Sequence, residues 1–273
     1  MSPSTCARSL LFPSASDLKV RFAQDDRGDC NDNMNEVVAS RSLNVLQRYV
    51  YSLIFTIFAE ENILFVVMKI ICVGMNYAEH NKELNGGVLV KPESPVIFMK
   101  PDSAILKGGK PFFIPDFAER FDYEAELVVR ISKLGKNISP RFAHRYYDAV
   151  TVGVDITARD MQERFRKEGL PWELCKGFDG SAVLGDFIPV ERFAHMQNIH
   201  FNLDIDGQTA QRGHTVDMLF GVDELVAYVS QFFMLKTGDL IFTGTPVGVG
   251  PLQIGQHVEG FLEGEKVLAF NVR

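Results

Sequence analysis

Glycine is almost missing from the first quarter of this 273-residue chain. Residues 1–67 contain one, Gly28, and the remaining 206 residues contain 21. A break this sharp marks two kinds of sequence. Cysteine is also sparse. Cys6, Cys30, Cys72 and Cys175 form no CxxC pair, which argues against a zinc ribbon or a thioredoxin motif. Scattered thiols in a chain of this length fit a reducing compartment better than a disulfide scaffold. Basic excess is absent: 28 Lys+Arg against 35 Asp+Glu give a net charge of −7. Nothing here pulls the chain generally towards nucleic acid or an anionic membrane surface. Long apolar runs are absent too. The run 50–59 and the one starting at Ile63 are separated by Glu60, Glu61 and Asn62. Neither reaches the ~18–20 apolar residues of a membrane span. No basic segment leads directly into an apolar one at the start, so no secretory signal is expected and the expected location is the cytoplasm.

Residues 1–40 are polar and turn-rich and read as disordered. Residues 41–59 read as a helix. Met68 then opens the compact strand pattern Lys69-Ile-Ile-Cys-Val73. The expectation is a non-homologous extension over 1–67 and a domain over 68–273. Two origins fit the extension: a translation start set too early, or a genuine cap or tether.

Beyond Met68 the pattern is short β runs punctuated by glycine and proline. Residues 70–73, 96–99, 124–131, 149–155, 200–205, 240–243 and 267–272 read as strands. Asp206-Gly207 reads as a hairpin turn. Helices are few, at 77–84, 141–147, 157–168 and 222–232. The expected class is α+β, mainly β, rather than an alternating βαβ sheet.

Candidate chemistry sits in the strand segment Asp122-Tyr-Glu-Ala-Glu126. Glu124 and Glu126 are two apart, so in a strand both point to one face. Two such carboxylates either face solvent or hold a hard divalent cation between them. Asp155 closes an otherwise apolar strand, and a buried acid needs a partner. It is either a third oxygen ligand or the N-cap of the helix that follows. With no histidine or cysteine alongside, zinc is disfavoured and Mg²⁺ or Mn²⁺ fits better. His80 and Glu83 share a helix face at i, i+3. They form either an acid–base pair or a surface ion pair, and Gly86-Gly87 just after them could act as a hinge or simply as a loop. Lys176 is a substrate anchor or a surface lysine. Residues 243–250, Thr-Gly-Thr-Pro-Val-Gly-Val-Gly, lack the spacing of a P-loop. They could still offer backbone N–H groups and the Thr245 hydroxyl to an anion, or form a tight turn.

At these residues the sequence resembles the fumarylacetoacetate hydrolase family. The matching blocks are VGMNYAEH (73–80), FDYEAEL (121–127), GVDITARDMQ (153–162), KGFDGSAVLGDFIP (176–189), DMLFGVDELVAYVSQ (217–231) and LKTGDLIFTGTPVGVG (235–250). The resemblance covers 69–273 and none of 1–67. It implies a roll of twisted β-sheets around a metal site, usually in a dimer. It places the metal ligands at Glu124, Glu126 and Asp155, with Mg²⁺ or Mn²⁺ as cofactor. The catalytic pair falls on His80 and Glu83 in a lid segment. Lys176, Gln162, Gly244 and Thr245 become substrate contacts, and Arg159 with Asp160 a supporting ion pair.

The activity implied is metal-assisted chemistry on a 2-oxo acid, a small-molecule substrate. Hydrolytic C–C cleavage of an acylpyruvate-type substrate, with water activated by His80 and Glu83, is the leading expectation. Decarboxylation of oxaloacetate and isomerisation of 2-hydroxyhepta-2,4-diene-1,7-dioate are the alternatives on the same site. A catalytically silent metal-binding protein is a further alternative.

Overall fold

The computed structural model describes residues 69–84, 86–107 and 109–273. The expectations for 1–67 and for a start at Met68 lie outside these residues. In chain order the strands are β1 Ile70–Gly74, β2 Val96–Lys100, β3 Ile105–Leu106, β4 Phe121–Tyr123, β5 Ala125–Ile131, β6 Tyr147–Asp155, β7 Thr157–Ala158, β8 Ala182–Leu184, β9 Ile188–Pro189, β10 His200–Ile205, β11 Gln208–His214, β12 Leu240–Phe242, β13 Gly250–Pro251, β14 His257–Leu262 and β15 Glu265–Asn271. The helices are α1 Ala78–Leu84, α2 Arg159–Glu168, α3 Glu173–Lys176 and α4 Val222–Phe232. The fold is mainly β with few, short helices, as expected.

An eight-stranded sheet runs β2-β1-β12-β5-β6-β8-β3, with β9 also paired to β6. Only β1–β12 and β3–β8 are parallel pairs in it. A four-stranded sheet, β11-β10-β14-β15, and a three-stranded one, β13-β4-β7, complete the set. The apolar runs of β1 and β5 have a direct cause. Both faces of the large sheet are covered, so neighbouring residues enter different cores. Ile71, Val73, Leu127 and Val129 join the main cluster with Leu225 and Val226 of α4. Ile70, Cys72, Val128, Leu240 and Phe242 join a second cluster on the opposite face. Phe242 is fully buried there. Truncating it to alanine costs about 3–5 kcal/mol. Gly153 makes room for that ring, since a Cβ on it would lie 2.9 Å from Phe242 and 2.6 Å from Val128.

Two helix expectations change. Residues 140–145 form a 3₁₀ turn, and Tyr147 already belongs to β6. Six residues hold a tight turn, while the Tyr147 side chain is drawn inward, where its hydroxyl meets Asp223 Oδ1 at 3.0 Å. Thr157 and Ala158 are a strand, not the first turn of a helix: they pair with Asp122 and Phe121, and α2 begins at Arg159. Asp155 therefore caps no helix. The Asp206-Gly207 hairpin forms as expected, with both residues at positive φ (50° and 75°), as a type I′ turn needs.

Candidate active site

The antiparallel pairing of β5 with β6 brings the three acids together. Glu126 stands opposite Gly153 in that ladder, and the Asp155 N–H donates to the Glu124 carbonyl at 2.8 Å. Oxygens of Glu124, Glu126 and Asp155 all lie within 4.8 Å of one another, and all three side chains are buried. Glu124 itself sits in the one-residue gap between β4 and β5. One cavity is lined by these acids together with His80, Lys176, Gln162, Arg159 and Thr245. The expected residues from five separate stretches thus converge. Glu83 stands just behind the cavity wall, with its Oε2 3.2 Å from His80 Nδ1.

Lysines supply the counter-charge. Lys176 ends α3 and donates to Glu124 Oε2 at 2.8 Å, Asp155 Oδ2 at 2.7 Å and Thr157 Oγ1 at 2.6 Å. Lys100 closes β2 and lies 2.7 Å from Asp155 Oδ1. It also donates to the carbonyls of Lys176 and Ser181. Arg159 donates to Asp122 at 2.8 Å and also to Glu124 and to the Gln162 side-chain oxygen. The supporting ion pair expected between Arg159 and Asp160 does not form. Successive helix residues diverge by about 100°, so they do not face each other. Asp160 turns instead to the Glu119 N–H, at 3.1 Å.

The electrostatics separate the three carboxylates. Burial opposes the charge of Glu124, but Lys176 and Arg159 outweigh it and hold this carboxyl well below the usual range. Burial opposes the Lys176 charge as well, yet Asp155 and Glu124 keep it firmly protonated. Glu126 goes the other way. Burial first, then the charges of Asp155 and Glu124, push its carboxyl well up.

These residues fit a hard divalent cation. The donors are all carboxylate oxygens, the set that Mg²⁺ and Mn²⁺ prefer. Around them, Asp122 is paired with Arg120 and Arg159, Glu124 with Arg159 and Lys176, and Asp155 with Lys100 and Lys176, while among the described residues Glu126 has no cationic partner. Asp155 Oδ1 has its ion pair with Lys100 but no aligned hydrogen-bond donor. A buried carboxyl without a cationic partner and an under-used oxygen are the condition a cation relieves.

Residues 69–272 match the fumarylacetoacetate (FAA) hydrolase C-terminal family. This chain belongs to that family, and it is an enzyme. It is 39% identical over 202 residues to the oxaloacetate tautomerase YcgM of Escherichia coli K12, covering 74% of this chain and 91% of that one. Its structure is similar to that of fumarylpyruvate hydrolase from Pseudomonas aeruginosa in complex with Mn²⁺ and pyruvate. There the TM-score is 0.71 at 37% identity, over 76% of this chain and 89% of that one. It is also similar to 2-hydroxyhepta-2,4-diene-1,7-dioate isomerase from Mycobacterium marinum, with TM-score 0.65 and 31% identity, over 76% of this chain and 75% of that one. Among the described residues no helix is long and apolar enough to cross a membrane.

Sequence reasoning missed several members of the site. Lys100 carried a readable signal, because a lysine ending an apolar strand needs a buried partner as much as Asp155 does. Gln211 carried none. It lies in a polar strand, yet it is buried and ties Ala125 N–H, Thr245 Oγ1 and the Pro246 carbonyl together at 2.8–3.0 Å. Asn76 was passed over within its block. Its side chain bonds the Thr243 carbonyl at 2.8 Å and both the Phe220 carbonyl (3.0 Å) and N–H (2.9 Å). It thereby fixes the turn that delivers α1 and His80. Arg166 and Trp172 also line the cavity.

Proposed function

We propose that this enzyme binds a divalent cation, Mg²⁺ or Mn²⁺, at Glu124, Glu126 and Asp155 and acts on 2-oxo acids through their enolates. The observation that carries this reading is the meeting of three buried carboxylates with His80, Lys176 and Thr245 in one cavity. A bound cation supplies Lewis-acid polarisation of the 2-oxo group and a counter-charge for the enolate oxygen. The chain does the rest. Lys176 adds a fixed positive charge beside the acids. Thr245 Oγ1 accepts from Gln211 Nε2 at 2.9 Å, which leaves its own proton to donate to substrate. Glu83 on Nδ1 of His80 fixes the tautomer with Nε2 unprotonated, free to take a proton.

That base fits hydrolysis of an acylpyruvate-type substrate. His80 takes a proton from water as it adds to the acyl carbonyl. The C–C bond then breaks, the acid and the pyruvate enolate leave, and the enolate is protonated. The Pseudomonas relative, named a fumarylpyruvate hydrolase, supports this reading. The second reading is tautomerisation or decarboxylation of oxaloacetate, in which no water attacks. The name of the Escherichia coli relative supports it, and isomerisation of a hydroxydienedioate uses the same enolate.

The test is a panel of acylpyruvates, oxaloacetate and 2-hydroxyhepta-2,4-diene-1,7-dioate with Mg²⁺ and with Mn²⁺. Turnover of at least one, lost on chelation and restored by cation, is expected; no turnover of any overturns the proposal. His80→Ala separates the two readings. Hydrolysis falls by about 10²–10⁴-fold, while decarboxylation persists. A homodimer belongs to the same proposal, with light scattering at two protomer masses as its check.

A further inference from the structure

α2 turns one stripe of side chains into the cavity. Arg159, Gln162 and Arg166 all line it, and their spacing of three and four residues places them on one helix face. The first two are committed. Arg159 is bound to Asp122, Glu124 and Gln162. Arg166 is exposed, and among the described residues it has neither an ion pair nor a hydrogen bond. Among the described residues it is the one cation on the cavity wall that no acid neutralises, since Lys176 and Arg159 are both taken up by Glu124 and its neighbours. Seven residues of helix separate Arg159 from Arg166, about 10 Å along the axis. Long helical side chains lean towards the N-terminus, so the Arg166 guanidinium leans back over the mouth of the cavity. Two aromatic rings share the cavity wall, and Lys176 Nζ lies 5.2 Å from the centroid of one of them, Phe98. The other is Trp172, and the two rings meet edge to face with centroids 5.7 Å apart.

We infer that Arg166 is a specificity-determining residue that captures a terminal carboxylate. The 2-oxo acid head sits at the acids, an apolar or unsaturated spacer crosses Phe98 and Trp172, and the far carboxylate pairs with Arg166. A guanidinium is suited to this by its planar fork, which can meet a carboxylate at two points. The inference rests on the 2-oxo acid reading and narrows it to dioic acids longer than oxaloacetate.

The test uses the full chain loaded with Mg²⁺ and two unreactive ligands of equal length. One is 2-oxoadipate, with a terminal carboxylate; the other is 2-oxohexanoate, with a methyl end. By calorimetry the wild-type protein should bind 2-oxoadipate at least about tenfold more tightly, the gain expected of one charge-assisted hydrogen-bonded pair. Arg166→Gln should abolish that preference and leave 2-oxohexanoate binding within about twofold. Arg166→Lys should retain part of it. A preference that survives Arg166→Gln, or equal weakening of both ligands, overturns the inference and leaves the 2-oxo acid reading standing. Binding of neither ligand by the wild-type protein overturns the 2-oxo acid reading itself.

Discussion

Glu126 Oε2 accepts the main-chain N–H of Gly244 at 2.7 Å, and among the described residues that peptide is its one hydrogen-bond donor. Glu124 and Asp155 each have a lysine. The acid left without one is the acid whose carboxyl burial and its two neighbours push upward. Three carboxylates alike in sequence therefore differ in kind: two are paired with lysine by the protein, and the third is left for a guest.

The difference predicts how cation binding responds to pH. Below its raised pKa the metal-free Glu126 carboxyl keeps a proton that the unfolded chain loses near pH 4.5. The folded state then binds more protons, so metal-free stability falls as pH rises above that point. A cation must displace the proton, so its affinity climbs over the same range. Titration calorimetry in buffers of different ionisation enthalpy should show proton release. Glu126→Gln should remove that release and weaken cation binding at least tenfold.

Asp155 predicts an opposite kind of defect. It is fully buried and paired with Lys100 and Lys176. Asp155→Ala leaves the buried Lys100 ammonium without its acid and Lys176 with Glu124 alone, and should cost about 3–5 kcal/mol of stability, read by urea denaturation without cation. Asp155→Asn keeps the shape and part of the hydrogen bonding, and should cost less. Equal stability of the alanine variant and wild type would contradict the pairing.

Gly244 predicts coupling between backbone and site. Its φ is 97°, and a Cβ there would lie 2.8 Å from the Cβ of Asn76. Gly244→Ala should lower stability by about 1–3 kcal/mol. By shifting the N–H on Glu126 it should also weaken Mn²⁺ binding, measurable by electron paramagnetic resonance of free Mn²⁺.

The two described cysteines predict an alkaline limit. Burial pushes the Cys175 thiol from 9.0 up to about 11, and raises Cys72 as well. Between pH 9 and 11 the unfolded Cys175 loses a proton that the folded one keeps. Stability therefore falls as pH rises through that window. Peptide mapping after iodoacetamide treatment at pH 8 should find both residues unlabelled in the native protein and labelled in urea.

Much of this was legible because the relevant residues break a local pattern. Asp155 ends an apolar strand, Glu-x-Glu repeats on one face, and His80 and Glu83 share a turn. The strand over 200–205 and the helix over 222–232 have the periods of their classes and form with those bounds. Reading stopped where long-range pairing overrules local preference. Thr157 and Ala158 look like a helix start, but β4 claims them. β11, mostly polar, is a strand only because β10 lies beside it. Gln211 and Arg166 were invisible for the same reason: their roles depend on what the fold sets opposite them.

The parallel pairing of β1 with β12 joins Ile70 to Leu240, and the flanking ion pair of Lys69 with Asp239 spans 170 positions. The loop that carries Gly244 and Thr245 leaves β12, and the turn that leads into α1 and His80 leaves β1. During synthesis one edge of β1 can pair with β2 soon after it emerges, while its other edge must wait for β12. Closing so large a loop is entropically costly and slow. A nascent chain stalled before β12 should therefore expose the β12-facing edge of β1 to chaperones and proteases, and a nonsense mutation late in the gene should leave no partial activity.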